Sequence, residues 1–190
     1  MIEIRWHGRG GQGAKTVSQL LAGAALRGGR YAQAFPEYGP ERSGAPVKAF
    51  NRLDTKEIRL HCSISEPDIV VVLDPTLLSA KEAQVTEGLK RHGVLFVNTT
   101  QTPEEIRALT GFPGKIITLD ADSLARSVGA RYSNVVMLGA LARLLGTIAL
   151  EDLEREFEKL FGEKALAANL AALRAGFAAL NERAELEATA

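Results

Sequence analysis

The sequence contains a single cysteine, Cys62, among its 190 residues. One cysteine excludes an internal disulfide framework, and it leaves no cysteine pair with which this chain could hold zinc or an iron–sulfur cluster. No histidine or cationic group is placed to activate that thiol as a nucleophile. We therefore expect Cys62 to be a small, partly buried side chain without a catalytic role.

The chain also lacks an excess of charge of either sign, because its 23 basic and 23 acidic residues cancel. It lacks a long apolar run as well, since the longest such stretch, residues 135–150, contains Arg143 and two glycines. Neither nucleic acid nor a membrane is indicated as a partner. The first residues alternate like a strand rather than forming a leader peptide, so we expect a cytoplasmic protein.

Glycine is concentrated near the start, where a strand-like run (residues 2–7) leads through a turn into a predicted helix (residues 14–27). The turn consists of Gly8, Arg9, Gly10, Gly11, Gln12 and Gly13. Glycines allow the main chain to approach a ligand closely, and the free N–H groups and dipole of a helix start favour an anion. We predict a phosphate-approach loop here, with a purely structural tight turn as the alternative.

The same glycines have the spacing G-x-G-x-x-G of a dinucleotide-binding fingerprint. That fingerprint also needs an acidic residue about 20 residues further on, at the end of the second strand, to hold a ribose. Here the second predicted strand ends at Pro36, and Glu37 lies beyond that proline. The ribose contact is therefore poorly supported.

The rest of the chain predicts an α/β fold with a mostly parallel, Rossmann-like sheet, flanking helices and a helical C-terminal part, in one domain over residues 1–190. The apolar run at residues 69–73 is typical of a strand buried on both faces, and residues 93–97 and 115–119 predict two more strands. Helices begin at Thr102 and Leu150, and from Asn134, a candidate helix cap, only helices follow. An apolar stripe on the last helix should pack against the chain's own sheet, with a partner subunit as the alternative.

A second distinctive segment, residues 38–46, places two glycines, two prolines, Glu41 and Arg42 between two predicted strands. Glycine and proline constrain such a loop, so the charged pair should have a defined position. Loops at the carboxyl ends of strands gather around one crevice, which would bring this loop close to the glycine turn. The alternative is a solvated loop that only reverses the chain.

Five motifs in this order closely resemble the gamma subunit of 2-oxoacid:ferredoxin oxidoreductases, of which the pyruvate enzyme is the commonest. They are residues 8–13, residues 38–47, residues 67–75, Asn98 with Thr99, and Asn134 with residues 138–140. The resemblance covers about the first three quarters of the chain, and the C-terminal helices carry no comparable signature.

The resemblance implies a subunit of an enzyme that decarboxylates a 2-oxoacid on thiamine diphosphate, sends electrons through four-iron clusters to ferredoxin and passes the acyl group to coenzyme A. It implies alpha, beta and delta-type partner subunits that carry the thiamine diphosphate and the clusters. The gamma chain itself is associated with positioning coenzyme A.

The candidate contacts are Gly8, Arg9, Gly10, Gly11, Gln12, Gly13, Glu41 and Arg42. Many relatives have a second basic residue where this chain has Ser43, which weakens the ligand assignment but not a role in subunit contact.

Two other classes of function compete with this interpretation. A stand-alone NAD- or flavin-binding oxidoreductase would use the glycine turn in the usual dinucleotide manner. A regulatory nucleotide-binding module would use the late apolar helices for oligomerisation. No residue set in the sequence indicates acid–base or nucleophilic catalysis. The resemblance implies a required subunit that is inactive in isolation. The sequence identifies neither the 2-oxoacid, whose site is expected on other chains, nor the direction of the reaction in the cell.

Overall fold

The computed structural model describes the backbone of residues 1–37 and 44–187, with side chains up to residue 180. Within these residues, six strands form one sheet in the order β2-β3-β1-β4-β5-β6. The strands are β1 (Ile2–Arg9), β2 (Tyr31–Pro36), β3 (Pro46–Asp54), β4 (Ile69–Val72), β5 (Val94–Asn98) and β6 (Lys115–Leu119). β1, β4, β5 and β6 are parallel neighbours, and β3 is antiparallel to β1 and to β2. The predicted mostly parallel α/β sheet is confirmed.

The antiparallel direction of β3 follows from its short connection to β2. Only residues 37–45 connect β2 to β3. A parallel pair needs a crossover of about a dozen residues or more, so this short connection makes a hairpin. The connections from β4 to β5 and from β5 to β6 are longer and join parallel strands.

Six helices accompany the sheet in the described part of the chain. They are α1 (Ala14–Arg27), α2 (Pro103–Thr110), α3 (Ala121–Ser127), α4 (Asn134–Leu145), α5 (Leu150–Leu160) and α6 (Glu163–Glu187). Thr102 caps α2 in a reciprocal capping box with Glu105, and α5 begins at Leu150, so both predicted helix starts are confirmed. None of the described helices is long and apolar enough to cross a membrane.

The sheet separates two apolar clusters. Side chains of Ile4, Trp6 and Val71 face one side, where they pack with α1, α4 and α5. Val70 and Val72 face the other side, where two short 3₁₀ turns (Pro75–Leu78 and Lys81–Ala83) and α2 cover them. The chain after β1 therefore leaves to one face and the chain after β4 to the other. Ligands in open α/β sheets bind at such a switch between neighbouring strands.

Helix α6 packs on α4 and α5, not on the sheet as predicted. Its stripe residues Leu173 and Leu180 join the main apolar cluster of the chain, so the stripe serves the chain's own core through another helix. Two glycines allow the close approach. A Cβ on Gly139 would overlap the carbonyl of Leu173, and one on Gly176 would overlap the carbonyl of Val136.

Replacing Gly176 with alanine should destabilise the chain by about 2 kcal/mol, since even one methyl group must displace the α4 backbone. In an exposed helix the same change would stabilise by about 1 kcal/mol. The reverse change at exposed Ala178 on α6 is the matched control and should cost only about 1 kcal/mol. Urea denaturation measures both. A Gly176→Ala variant as stable as the wild type would contradict the close packing.

Candidate functional site

The glycine turn links the end of β1 to the start of α1. Gly11 (φ 95°) and Gly13 (φ 76°) adopt left-handed backbone conformations that favour glycine. Gly13 is the N-cap residue of α1, and no side chain caps this helix start. The first turn of α1 also contains no acidic residue, so the helix dipole is not compensated locally. The turn therefore presents backbone amides at the start of α1, as predicted.

Arg9 and Gln12 hold the turn in place. The Gln12 side chain accepts a hydrogen bond from the Arg9 amide (2.7 Å) and donates one to Asp74 (2.9 Å). The Arg9 guanidinium donates to the carbonyl of Gly44 (3.1 Å) and to the hydroxyl of Thr76 (2.7 Å), and it forms an ion pair with Asp74 (3.2 Å). Arg9 and Gln12 were both predicted as ligand contacts. They use much of their hydrogen-bonding capacity within the chain.

Asp74 follows β4 and caps the first 3₁₀ turn, as the predicted Asp-Pro turn requires. Burial alone would raise the pKa of this carboxyl. Hydrogen bonds from Thr76 and Gln12 and the charge of Arg9 outweigh burial, and the pKa lies below its ordinary value. Asp74 is thus an anion that compensates Arg9, which leaves the helix amides as the main electropositive feature of the turn.

The loop between β2 and β3 contacts the glycine turn, as predicted, at the end that leads into β3. The Gly10 amide donates to the carbonyl of Ala45 (2.9 Å), and the Gly44 amide donates to the carbonyl of Gly10 (3.4 Å). Glu41 and Arg42 themselves lie outside the described residues.

A cleft of about 300 Å³ lies beside the turn, at the carboxyl ends of the parallel strands. Its walls include Gln12, Asp74, Asp122, Arg131 and Asn134. Asn98, at the end of β5, fixes the surrounding loops because its side chain donates to Leu73 O (3.1 Å) and accepts from the Ala121 amide (2.9 Å).

Asn134 was predicted to be a helix cap, and this is wrong. The N-cap of α4 is Ser133, and Asn134 is the first helical residue. Its side chain turns towards the glycine turn, where its amide occupies the space that a Cβ on Gly13 would need. Asn134 is 9% exposed, and its Oδ1 has no hydrogen-bond partner among the described residues. A buried oxygen without a donor is costly, which points to a ligand N–H or O–H group in the cleft.

Sequence reasoning missed Arg131 as a cleft residue. The Arg131 guanidinium lies 5.0 Å from the ring centre of Tyr132, and both side chains line the cleft. The signal available was a basic–aromatic pair immediately before a helix start that has no acidic residue in its first turn. Like α1, α4 has no side-chain cap, so two uncompensated helix starts converge here.

The geometry does not favour dinucleotide binding in the usual manner. That mode places the ribose acid on a strand beside β1, but here β3 separates β1 from β2. Two strand spacings put the end of β2 roughly 10 Å from β1. Glu37 also lies 3.8 Å from Lys48, as an ion pair.

Few other described residues are candidates for metal binding or catalysis. The described residues contain no group of His, Cys, Asp and Glu that could hold a metal ion. Cys62 is exposed rather than partly buried, because it lies in the connection between β3 and β4 instead of in a strand. His7 is buried within β1, between Lys48 of β3 and Val72 of β4.

Comparison with known proteins identifies the family and confirms the fold. The profile of the family "Pyruvate ferredoxin/flavodoxin oxidoreductase" matches residues 3–179. The chain belongs to this family. The chain is 50% identical over 181 residues to pyruvate synthase subunit PorC of Thermotoga maritima, covering 93% of each protein. The crystal structure of pyruvate oxidoreductase subunit PORC from T. maritima matches with a TM-score of 0.81 and 48% identity, covering 93% of this chain and 94% of the other.

Two further relatives extend the comparison. The common gamma subunit of the pyruvate/ketoisovalerate oxidoreductases of Thermococcus kodakarensis is 48% identical over 170 residues, which is 86% of this chain and 91% of that protein. The 2-oxoglutarate:ferredoxin oxidoreductase of Magnetococcus marinus, solved with 2-oxoglutarate, coenzyme A and succinyl-CoA, shares the fold. Its TM-score is 0.75 at 23% identity, over 93% of this chain and 30% of that one.

The protein is therefore a gamma-type subunit of a 2-oxoacid:ferredoxin oxidoreductase, as the five motifs predict. The stand-alone dinucleotide enzyme is not supported, since both the relatives and the strand order argue against it.

Proposed function

We propose that this subunit serves a pyruvate:ferredoxin oxidoreductase and positions coenzyme A at the strand-end cleft for acyl transfer. The observation that carries this proposal is the convergence of two uncapped helix starts with Asn134, whose Oδ1 accepts no hydrogen bond from the described residues. Coenzyme A has phosphate groups suited to helix amides and amide N–H groups suited to that oxygen.

The contacts proposed from the sequence are Gly8, Arg9, Gly10, Gly11, Gln12, Gly13, Glu41 and Arg42. Among them, the glycines would let the main chain approach the ligand, while Arg9 and Gln12 would act mainly by holding the turn. Arg42 is proposed as a direct phosphate contact, because an arginine fork matches phosphate geometry. Arg131 is added as a second cation at the cleft.

Pyruvate is proposed as the 2-oxoacid because the T. maritima relative is a pyruvate synthase subunit. The gamma subunit of T. kodakarensis is common to two oxidoreductases. We infer from this that the choice of oxoacid lies with other chains. The proposed partners are alpha, beta and delta-type subunits with thiamine diphosphate and iron–sulfur clusters, together with ferredoxin as electron acceptor in the cytoplasm.

The test is the kinetics of the assembled enzyme, purified anaerobically with its companion subunits. We expect the Arg42→Met and Arg131→Met variants to raise the KM for coenzyme A by about tenfold each, since each loses one charge-assisted contact. The KM for pyruvate should not change. Arg59→Met is the matched control, because Arg59 is highly exposed and pairs only with Glu57 among the described residues. Equal changes in both KM values, or none for coenzyme A, would refute the positioning role while leaving subunit membership intact.

A further inference from the structure

A second pocket lies over the antiparallel half of the sheet and shares no lining residue with the strand-end cleft. Side-chain alternation along β1 turns Arg5 and His7 away from the face that carries Ile4 and Trp6. The strand register places Arg5 opposite Phe50 and His7 opposite Lys48. Phe35 of β2 lies opposite Phe50 in turn. Cationic and aromatic side chains from three strands therefore share one face.

The pocket formed on this face has a volume of about 340 Å³, which is within the usual range for small-molecule sites. Arg5, Lys48, Phe35 and Phe50 line it from the sheet. The segment between β3 and β4 closes it with Cys62, Ser63 and Ile64.

Arg5 is the decisive residue. It is only 5% exposed, yet no carboxylate of the described residues forms an ion pair with it. Its Nη2 donates to the carbonyls of Val85 (2.9 Å) and Glu87 (2.6 Å), while Nε has no partner within the described chain. The carboxylates of Glu87 and Glu37 act on Arg5 electrostatically, but neither forms an ion pair with it. Buried arginines are nearly always in direct contact with an anion, because a buried charge without one is costly.

Lys48 adds a second positive charge. Its counter-ion within the described chain is Glu37 at 3.8 Å, and the Glu37 side chain is 54% exposed. Such a long, solvated ion pair contributes little. Glu37 also lines the pocket, so the cations Arg5 and Lys48 share it with one carboxylate that is largely exposed to solvent.

Two aromatic side chains also line the pocket. The rings of Phe35 and Phe50 stack with their centres 5.3 Å apart and their planes inclined by 22°. The Arg52 guanidinium lies over the Phe35 ring, 5.4 Å from its centre, and Phe50 is only 4% exposed. The pocket is thus lined by cationic and apolar side chains together.

We propose that this pocket binds a small organic anion, with its carboxylate or phosphate group against Arg5 and Lys48 and a flat apolar body against Phe35 and Phe50. The proposal does not depend on the role of the strand-end cleft, since the two share no residue. The 190-residue chain contains all the residues that are known to line the pocket.

Benzoate and phenyl phosphate are the probes, and benzamide is the neutral control of the same shape. Cys62 supplies a direct readout, because it lines the pocket, is exposed and is the chain's single cysteine. We expect at least one of the two anions to raise the Tm and to slow alkylation of Cys62 several-fold, whereas benzamide should do neither. Comparing benzoate with phenyl phosphate identifies the preferred head group. Protection by benzamide equal to that by the anions would overturn the proposal, as would the absence of protection by both anions.

Variants of the pocket complete the test. Lys48→Gln should weaken binding of the effective anion about tenfold, which corresponds to one lost charge-assisted contact. Lys56→Gln is the matched control, since Lys56 is exposed just beyond the same strand. Phe35→Leu should weaken phenyl phosphate or benzoate binding while leaving the charge unchanged. Unaltered binding in both Lys48→Gln and Phe35→Leu would also overturn the proposal.

Discussion

Replacing Gly13 with alanine is expected to lower coenzyme A-dependent turnover of the assembled enzyme by about 100-fold, a loss typical of a displaced binding group. Two effects combine at this position. The φ of 76° costs an L-residue about 1–2 kcal/mol, and the new Cβ would overlap the side-chain amide of Asn134. Either Asn134, which lines the cleft, or the start of α1, which follows the lining residue Gln12, must move. Steady-state kinetics with varied coenzyme A measures the loss.

Substitutions at two other glycines of the turn distinguish the effect of backbone strain from the effect of the contact with Asn134. Gly11 also has a positive φ (95°), but a Cβ there would meet nothing within 4 Å. A Cβ on Gly8 would make ordinary contacts of 3.4 Å, and Gly8 has no positive φ. Both glycines are proposed ligand contacts, so we expect Gly11→Ala and Gly8→Ala to lower turnover, but by less than Gly13→Ala, because neither displaces Asn134. A Gly11→Ala variant as inactive as Gly13→Ala would show that backbone strain, not the contact with Asn134, causes the loss.

The sequence predicted the strands, the helix starts and the glycine turn because each has a local signal. Alternating or fully apolar runs marked the strands, and Thr102 with Glu105 marked a capping box. Family motifs then identified the protein class from residues that are spread over most of the chain, and the relatives confirm that identification.

Long-range packing was not predictable in the same way. Asn134 resembles a cap locally, and its orientation towards Gly13 depends on how α4 packs against α1. The stripe on α6 shows only that one face is buried, and it cannot indicate whether the partner is a sheet or α4. The pairing of β3 between β1 and β2 likewise follows from tertiary contacts, although the short connection to β2 made a hairpin foreseeable.

Acidification should destabilise the folded chain through His7. Burial, followed by the charges of Arg5 and Lys48, lowers the pKa of His7 to about 3. The pKa is near 6.5 in the unfolded chain, so the unfolded state binds the proton first as pH falls. The stabilising contribution is complete above pH 6.5 and is lost as the pH falls towards 3. Between pH 7 and pH 4 this single group should lower the free energy of unfolding by about 3 kcal/mol.

A His7→Gln variant tests this assignment. It should be less stable than the wild type at pH 7, because a packed buried side chain is altered, but it should lose about 3 kcal/mol less on acidification to pH 4. His92→Gln, at an exposed position, should retain the wild-type dependence on pH. Urea denaturation at several pH values measures all three chains. The three chains have the same carboxylates, so the difference in pH dependence between the wild type and His7→Gln reports the contribution of His7. Parallel curves for the wild type and His7→Gln would contradict the lowered pKa of His7, of which burial is the largest cause.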